Sequence, residues 1–201
     1  MSTGQDIINL FETFVDDATE LSSSDELILV NKYYKKICRN RPWEFLKKEE
    51  TGNLSTSVAY VALPSDFAIP TLDRTVFVTI NGVVTEYKII NYADRRDYTD
   101  QSGYCYIDLA NSRLTFTLQP TSAYSYSFDY IYIPDDLTTA TEPVGPSDIM
   151  TPAIYHAMCT DHAIIEMSDK ARSYSSENQA KHNSYMRDLA YYNSQLTEDT
   201  F

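Results

Sequence analysis

The apolar positions change their period twice along the chain. Over residues 4–49 they recur at helical spacing. Ile7, Leu10, Phe11 and Phe14 lie three and four apart and predict a short helix. "SSSDEL" at 22–27 signals a new start, with Ser23 and Glu26 fitting a capping box. Asp25 and Glu26 suit the positive end of the helix dipole. Leu27, Val30, Tyr34 and Ile37 continue the stripe, and Pro42 ends it. Trp43, Phe45 and Leu46 then form a bulky apolar knot, read as the packing residues between this helical region and the next.

From about residue 54 to 134 the period becomes that of strands. "TVFVTINGVVTEYKII" holds two strand-like runs around Asn81-Gly82, the strongest short hairpin signal because both residues tolerate positive φ. "YCYIDLANSRLTFTLQP" predicts a second hairpin turning near Asn111-Ser112. In "YSYSFDYIYIP" the residues Tyr124, Tyr126, Phe128, Tyr130 and Tyr132 share one face. Such a stripe either packs under a helix or forms an exposed contact surface.

"DDLTTATEPVGPS" at 135–147 reads as a loop and a boundary. Helical spacing then returns over about 148–196. Pro152 fits a first-turn position, and Ile154, Met158, Ile164 and Ile165 form an apolar face. "SDKARSYSSENQ" breaks or bends the pattern near 168–178. A further helix carries Tyr185, Leu189, Tyr192 and Leu196. The end, "NSQLTEDTF", predicts a frayed tail with Phe201 at its tip. Three segments follow: helices over 1–53, a β platform with hairpins over 54–135, and a loop, helices and tail over 136–201. The fold class is α+β, an antiparallel helical bundle from the two terminal regions with an inserted antiparallel β platform.

Charge narrows the function. Sixteen Lys and Arg against 29 Asp and Glu leave a net charge of −13. Such a surface repels phosphate, which argues against sequence-specific nucleic-acid binding. The short basic run "KKICRNR" at 35–41 reads as a solvated helix end. Seventeen tyrosines lean toward interfaces, where a large ring with a polar tip is favoured. Cys38, Cys105 and Cys159 are odd in number and widely spaced, so they predict reduced thiols. No basic flank with a long apolar run opens the chain, and no stretch approaches the roughly 18 apolar residues that span a bilayer. The protein is expected to be soluble and free of membrane.

One constellation carries possible chemistry. His156, Cys159 and His162 lie on an arc of roughly 120° of a helix. The two histidines are about 9 Å apart along its axis, too far for one zinc with ligand bonds of about 2.0–2.3 Å. The expectation is packing, with no metal, cofactor or catalytic residue. No phosphate loop, nucleophile elbow or dinucleotide fingerprint appears.

A series of short motifs points further. "KKICRNRPWEFL", "YVALPSDF", "DYIYIPDDLT" and "PSDIMTPAIYHAM" stand in an order that resembles the head-to-tail adaptor proteins of tailed bacteriophages. The likeness covers about residues 24–195. It implies a non-enzymatic virion protein, made in the host cytoplasm and placed at the head–tail junction. Its partners would be the portal and a tail nozzle or tail-completion protein. About twelve copies would close a ring, through whose channel double-stranded DNA passes without sequence-specific binding. The resemblance also implies a C-terminal segment that grips the portal, here Leu196 and Phe201. Contacts to tail proteins would fall on the platform at Asn81, Gly82, Tyr130 and Tyr132. Two rival readings are a metal- or thiol-dependent enzyme using the His156/Cys159/His162 arc, and a glycan- or receptor-binding β module using the tyrosine stripe.

Overall fold

The structure is a computed structural model that describes residues 2–15, 21–56, 58–165 and 169–198; the side chains of 15, 162–165, 169–173 and 197–198 lie outside the description. The fold is α+β, and the chain divides into two compact units. The helical unit holds Met1–Leu46 and Ile133–Phe201, and the β unit holds Lys47–Tyr132. The divisions thus fall at 46/47 and 132/133, where the sequence reading set them at 53/54 and 135/136.

The helical unit contains α1 (Gly4–Val15), α2 (Ser23–Cys38), α3 (Ser147–Ile165) and α4 (Asp169–Glu198). In α1 the buried apolar side chains include Ile7, Ile8 and Phe11, while Leu10 turns outward. α2 is capped one residue earlier than expected. Ser22, not Ser23, is the N-cap, and its hydroxyl accepts from the Asp25 N–H. Glu26 is buried instead of reaching back to the cap. α2 buries Val30, Tyr33, Tyr34, Ile37 and Cys38. α3 packs against α1, α2 and α4 and buries Met150, Ala153, Ile154, Met158 and Cys159.

Two helix expectations are corrected. Pro152 lies inside α3, past its first turn, because the helix already starts at Ser147. A break or bend was expected near 168–178; residue 168 lies outside the described residues, and from Asp169 α4 runs on without interruption through 178. Lys170, Ala171, Arg172, Glu177 and Gln179 are good helix formers, so the serines between them do not end it.

The β unit has β1 (Lys47–Leu54), β2 (Tyr60–Ala62), β3 (Phe67–Pro70), β4 (Thr75–Ile80), β5 (Val83–Ile90), β6 (Tyr104–Asp108), β7 (Arg113–Phe116) and β8 (Tyr124–Tyr132). They form one sheet in the order β1-β8-β4-β5-β6-β7-β2, with β3 beside the end of β8. Both hairpins form where expected. Asn81 (φ 53°) and Gly82 (φ 81°) turn β4 into β5, and Ser112 (φ 49°) leads into β7. The platform is not wholly antiparallel: β5 and β6 run parallel over Lys88–Ile90 and Tyr104–Tyr106.

β1 was not anticipated as a strand. "KKEETGNL" lacks apolar alternation, yet it pairs with β8 over its full length, from Lys47↔Ile131 to Leu54↔Tyr124. Charged residues suit a strand at the end of a sheet, where they discourage stray pairing. The tyrosine stripe of β8 lies inside the sheet's own core. Tyr126, Phe128 and Tyr130 are buried there with Val76, Val78, Leu114 and Phe116.

Candidate functional surfaces

His156 is buried, its Nδ1 lies 2.8 Å from Asn178 Oδ1, and its ring stacks on Tyr185. Burial holds this imidazole below its ordinary pKa, favouring the neutral ring. His162 lies outside the described side chains. Among the described residues no three metal-ligating side chains gather. Burial pushes the thiols of Cys38, Cys105 and Cys159 up to about 12, so none is a thiolate near neutrality. Of the arc, His156 and Cys159 are buried, Cys159 fully so.

The apolar knot has a definite geometry within the helical unit. Trp43 and Leu46 are fully buried. The indole stacks on Phe45 at 5.5 Å, and the Arg41 guanidinium lies 5.0 Å from its ring centre. The Glu44 N–H donates to Asn193 Oδ1 at 2.6 Å, tying the knot to α4.

In the β unit, Tyr130 is buried and stacks on Phe67, and its hydroxyl donates to Asp66 at 2.9 Å. Tyr132 is half-buried, with the Lys48 amine 3.8 Å from its ring centre. Tyr130 is thus enclosed and Tyr132 keeps part of its ring exposed, whereas the hairpin tip is open. Val83 and Val84, next to Asn81-Gly82, are 64% and 61% exposed. β5 meets β6 only from Lys88 onward, so the tip projects past β6. The chain enters and leaves the unit at the Lys47↔Ile131 end, and the tip lies at the other end of β8, roughly 25 Å away.

At the C-terminus α4 continues to Glu198, so most of the expected frayed tail is helical. Leu196 is half-buried in this last turn, and Phe201 lies outside the described residues.

A further surface is not among the sequence expectations, which take only residues 35–41 of it, as a solvated helix end. On α2, Lys32, Lys35, Lys36 and Arg39 follow i, i+3, i+4, i+7 spacing and share one face. With Ile28 and Asp136 they line an open groove of about 560 Å³. The loop before α3 builds its wall. The Asn31 amide accepts from the Leu137 N–H at 2.6 Å and donates to the Leu137 carbonyl at 3.0 Å. The Val144 N–H donates to the Tyr34 hydroxyl, and Lys35 pairs with Asp136 at 2.6 Å. Lys32 lies 3.5 Å from Asp161, whose carboxylate also accepts from the Tyr33 hydroxyl. Burial, then that carboxylate, pushes the Tyr33 phenol well above its usual range. The helical spacing of the cations was the available signal.

Among the described residues, no helix is long and apolar enough to cross a membrane. No curated protein matches the chain. Among the described residues the exposed features are an open basic groove and an apolar hairpin tip, while the three thiols are buried. A family model described as the SU10 adaptor protein matches residues 2–200, taking in both units, and the chain belongs to this family of bacteriophage head–tail adaptors.

Proposed function

We propose that the protein assembles into a ring of about twelve copies that joins the portal to a tail nozzle or tail-completion protein. The family match over residues 2–200 carries this reading. Its four helices act as a bundle that binds the portal side, and the Asn81-Gly82 hairpin meets the tail side. The exposed Val83 and Val84 support that assignment, since an apolar tip on a strand hairpin favours burial against a partner. Tyr130 and Tyr132 act behind it by fixing the sheet. The portal grip falls on the end of α4 around Leu196 and on Phe201. A net charge of −13 favours free passage of DNA through the ring, because carboxylates repel the phosphate backbone. The site of action is the head–tail junction of the virion.

The test is light scattering and co-sedimentation with purified portal. The free chain is expected as a monomer or weak oligomer, and a ring forms when portal is added. A stable dimer that ignores portal would sink the reading. Replacing Val83 and Val84 by Ser is expected to spare the portal-bound ring and abolish addition of the tail protein.

A further inference from the structure

We infer that the basic groove on α2 is a docking surface for the acidic surface of a second copy of this chain, an inference that rests on the ring reading and specifies its subunit contact. The argument begins with how charge is distributed. Residues 28–41 contain Lys32, Lys35, Lys36, Arg39 and Arg41 and no Asp or Glu. Residues 1–27 carry seven carboxylates and no Lys or Arg, and residues 133–169 carry seven more, again with no Lys or Arg. Every copy therefore carries a basic face on α2 beside two wholly acidic stretches, while residues 170–198 mix four cations with three carboxylates. That arrangement satisfies itself only in part, through Lys35 with Asp136 and Lys32 with Asp161, and two copies placed head to tail pair what remains.

The groove is already a carboxylate site. Lys35 and Lys32 hold Asp136 and Asp161 of their own chain, at 2.6 and 3.5 Å. Lys36 and Arg39, both exposed, have no salt bridge among the described residues. Ile28, one turn before Lys32, is 66% exposed and adds an apolar foothold. From Ile28 to Arg39 the face is about 16 Å long, enough for a few turns of a partner helix or a short extended segment. Asp136 in the wall disfavours a phosphate backbone, whereas a polypeptide can bring both carboxylates and an apolar side chain. On the donor copy, Asp6, Asp25, Glu142 and Asp148 are exposed. A contact between two different patches propagates around a ring, while a two-fold contact would stop at a dimer.

The experiment places a photo-crosslinking residue at Ile28. Crosslinks between copies are expected in concentrated protein at low salt and, more strongly, on the portal. Peptide mapping should locate them in residues 1–27 or 133–161 of the second copy. Lys36→Glu with Arg39→Glu should weaken self-association by about tenfold or more. The neutral pair Lys36→Gln with Arg39→Gln should give a smaller loss with the same circular dichroism spectrum. Crosslinks into portal or into added duplex DNA, crosslinks to other parts of the second copy, or none at all, would overturn the inference. So would unchanged self-association of the charge-reversed protein. Co-sedimentation with portal is read separately. Copy-to-copy crosslinks without portal binding would reject the adaptor reading and keep the groove assignment, and portal binding without such crosslinks would do the reverse.

Discussion

The indole Nε1–H of Trp43 donates to the carbonyl of Ile37 at 2.8 Å, with both side chains buried. This bond satisfies one of the carbonyls left open at the end of α2, a carbonyl that the Asn40 N–H also reaches. Trp43→Phe keeps most of the ring and loses the donor. It should lower unfolding free energy by about 1 kcal/mol. Trp43→Ala also opens a large cavity and should cost about 3–5 kcal/mol. Denaturant unfolding followed by circular dichroism measures both. Equal losses for the two variants would mean that the ring contributes nothing beyond its hydrogen bond.

Gly52 gives the β unit its own sensitive point. It lies opposite Tyr126 in the β1–β8 ladder, and a Cβ there would fall 2.6 Å from the Tyr126 hydroxyl. The ring atoms follow at 2.8 and 2.9 Å, so the whole ring must move, not only a flexible tip. Gly52→Ala should destabilise by about 1–3 kcal/mol. Restoring room with Tyr126→Leu in the same chain should recover part of that loss, which unfolding curves of the double variant would reveal.

Stability should fall on the alkaline side. Burial pushes the thiols of Cys38, Cys105 and Cys159 up to about 12 in the folded chain, against about 8.5 when unfolded. Between those values the folded state keeps protons that the unfolded state has released, so stability declines as pH rises. Below about pH 7 these thiols contribute almost no slope. Each thiol adds up to about 1.4 kcal/mol of loss per pH unit in that window. Melting temperatures measured across this range check the sign, and Cys105→Ala should make the decline shallower.

The C-terminus separates into two tests. Removing residues 199–201 leaves α4 intact and should leave the melting temperature unchanged while weakening portal docking. Phe201→Ala should account for about 1–3 kcal/mol of the docking loss if the ring enters a pocket. Removing 194–201 also deletes the last turn of α4 with Leu196, while sparing Asn193, and should lower the melting temperature by a few degrees as well. Equal portal binding by the shorter truncation and the full chain would reject the anchor.

What could be read from the sequence was what local geometry decides. Asn81-Gly82 announced its hairpin because a turn with positive φ needs those residue types. The tyrosine stripe was visible on one face of β8, but not its cover, because only tertiary pairing decides whether a face meets a helix or the rest of its own sheet. β1 was hidden by its charges, since strand pairing with β8 fixes it and side-chain alternation does not. The parallel β5–β6 pair depends on a crossover through residues 91–103 that carries no periodic signal. The basic groove needed two facts at once: helical spacing along α2, and a loop more than a hundred residues later in the chain that Asn31 holds in place.

The ladder that starts at Lys47↔Ile131 has a consequence for the order in which the chain can mature. α1 and α2 are synthesised long before α3 and α4, and the entire β unit intervenes. Bringing such distant segments together costs loop-closure entropy. Once β1 zips onto β8, the last residue of the first helical half and the first of the second are held side by side, and the remaining search is short. The sheet then acts as a clasp for the helices. A lesion in β1, such as Gly52→Ala, should slow refolding of the helices.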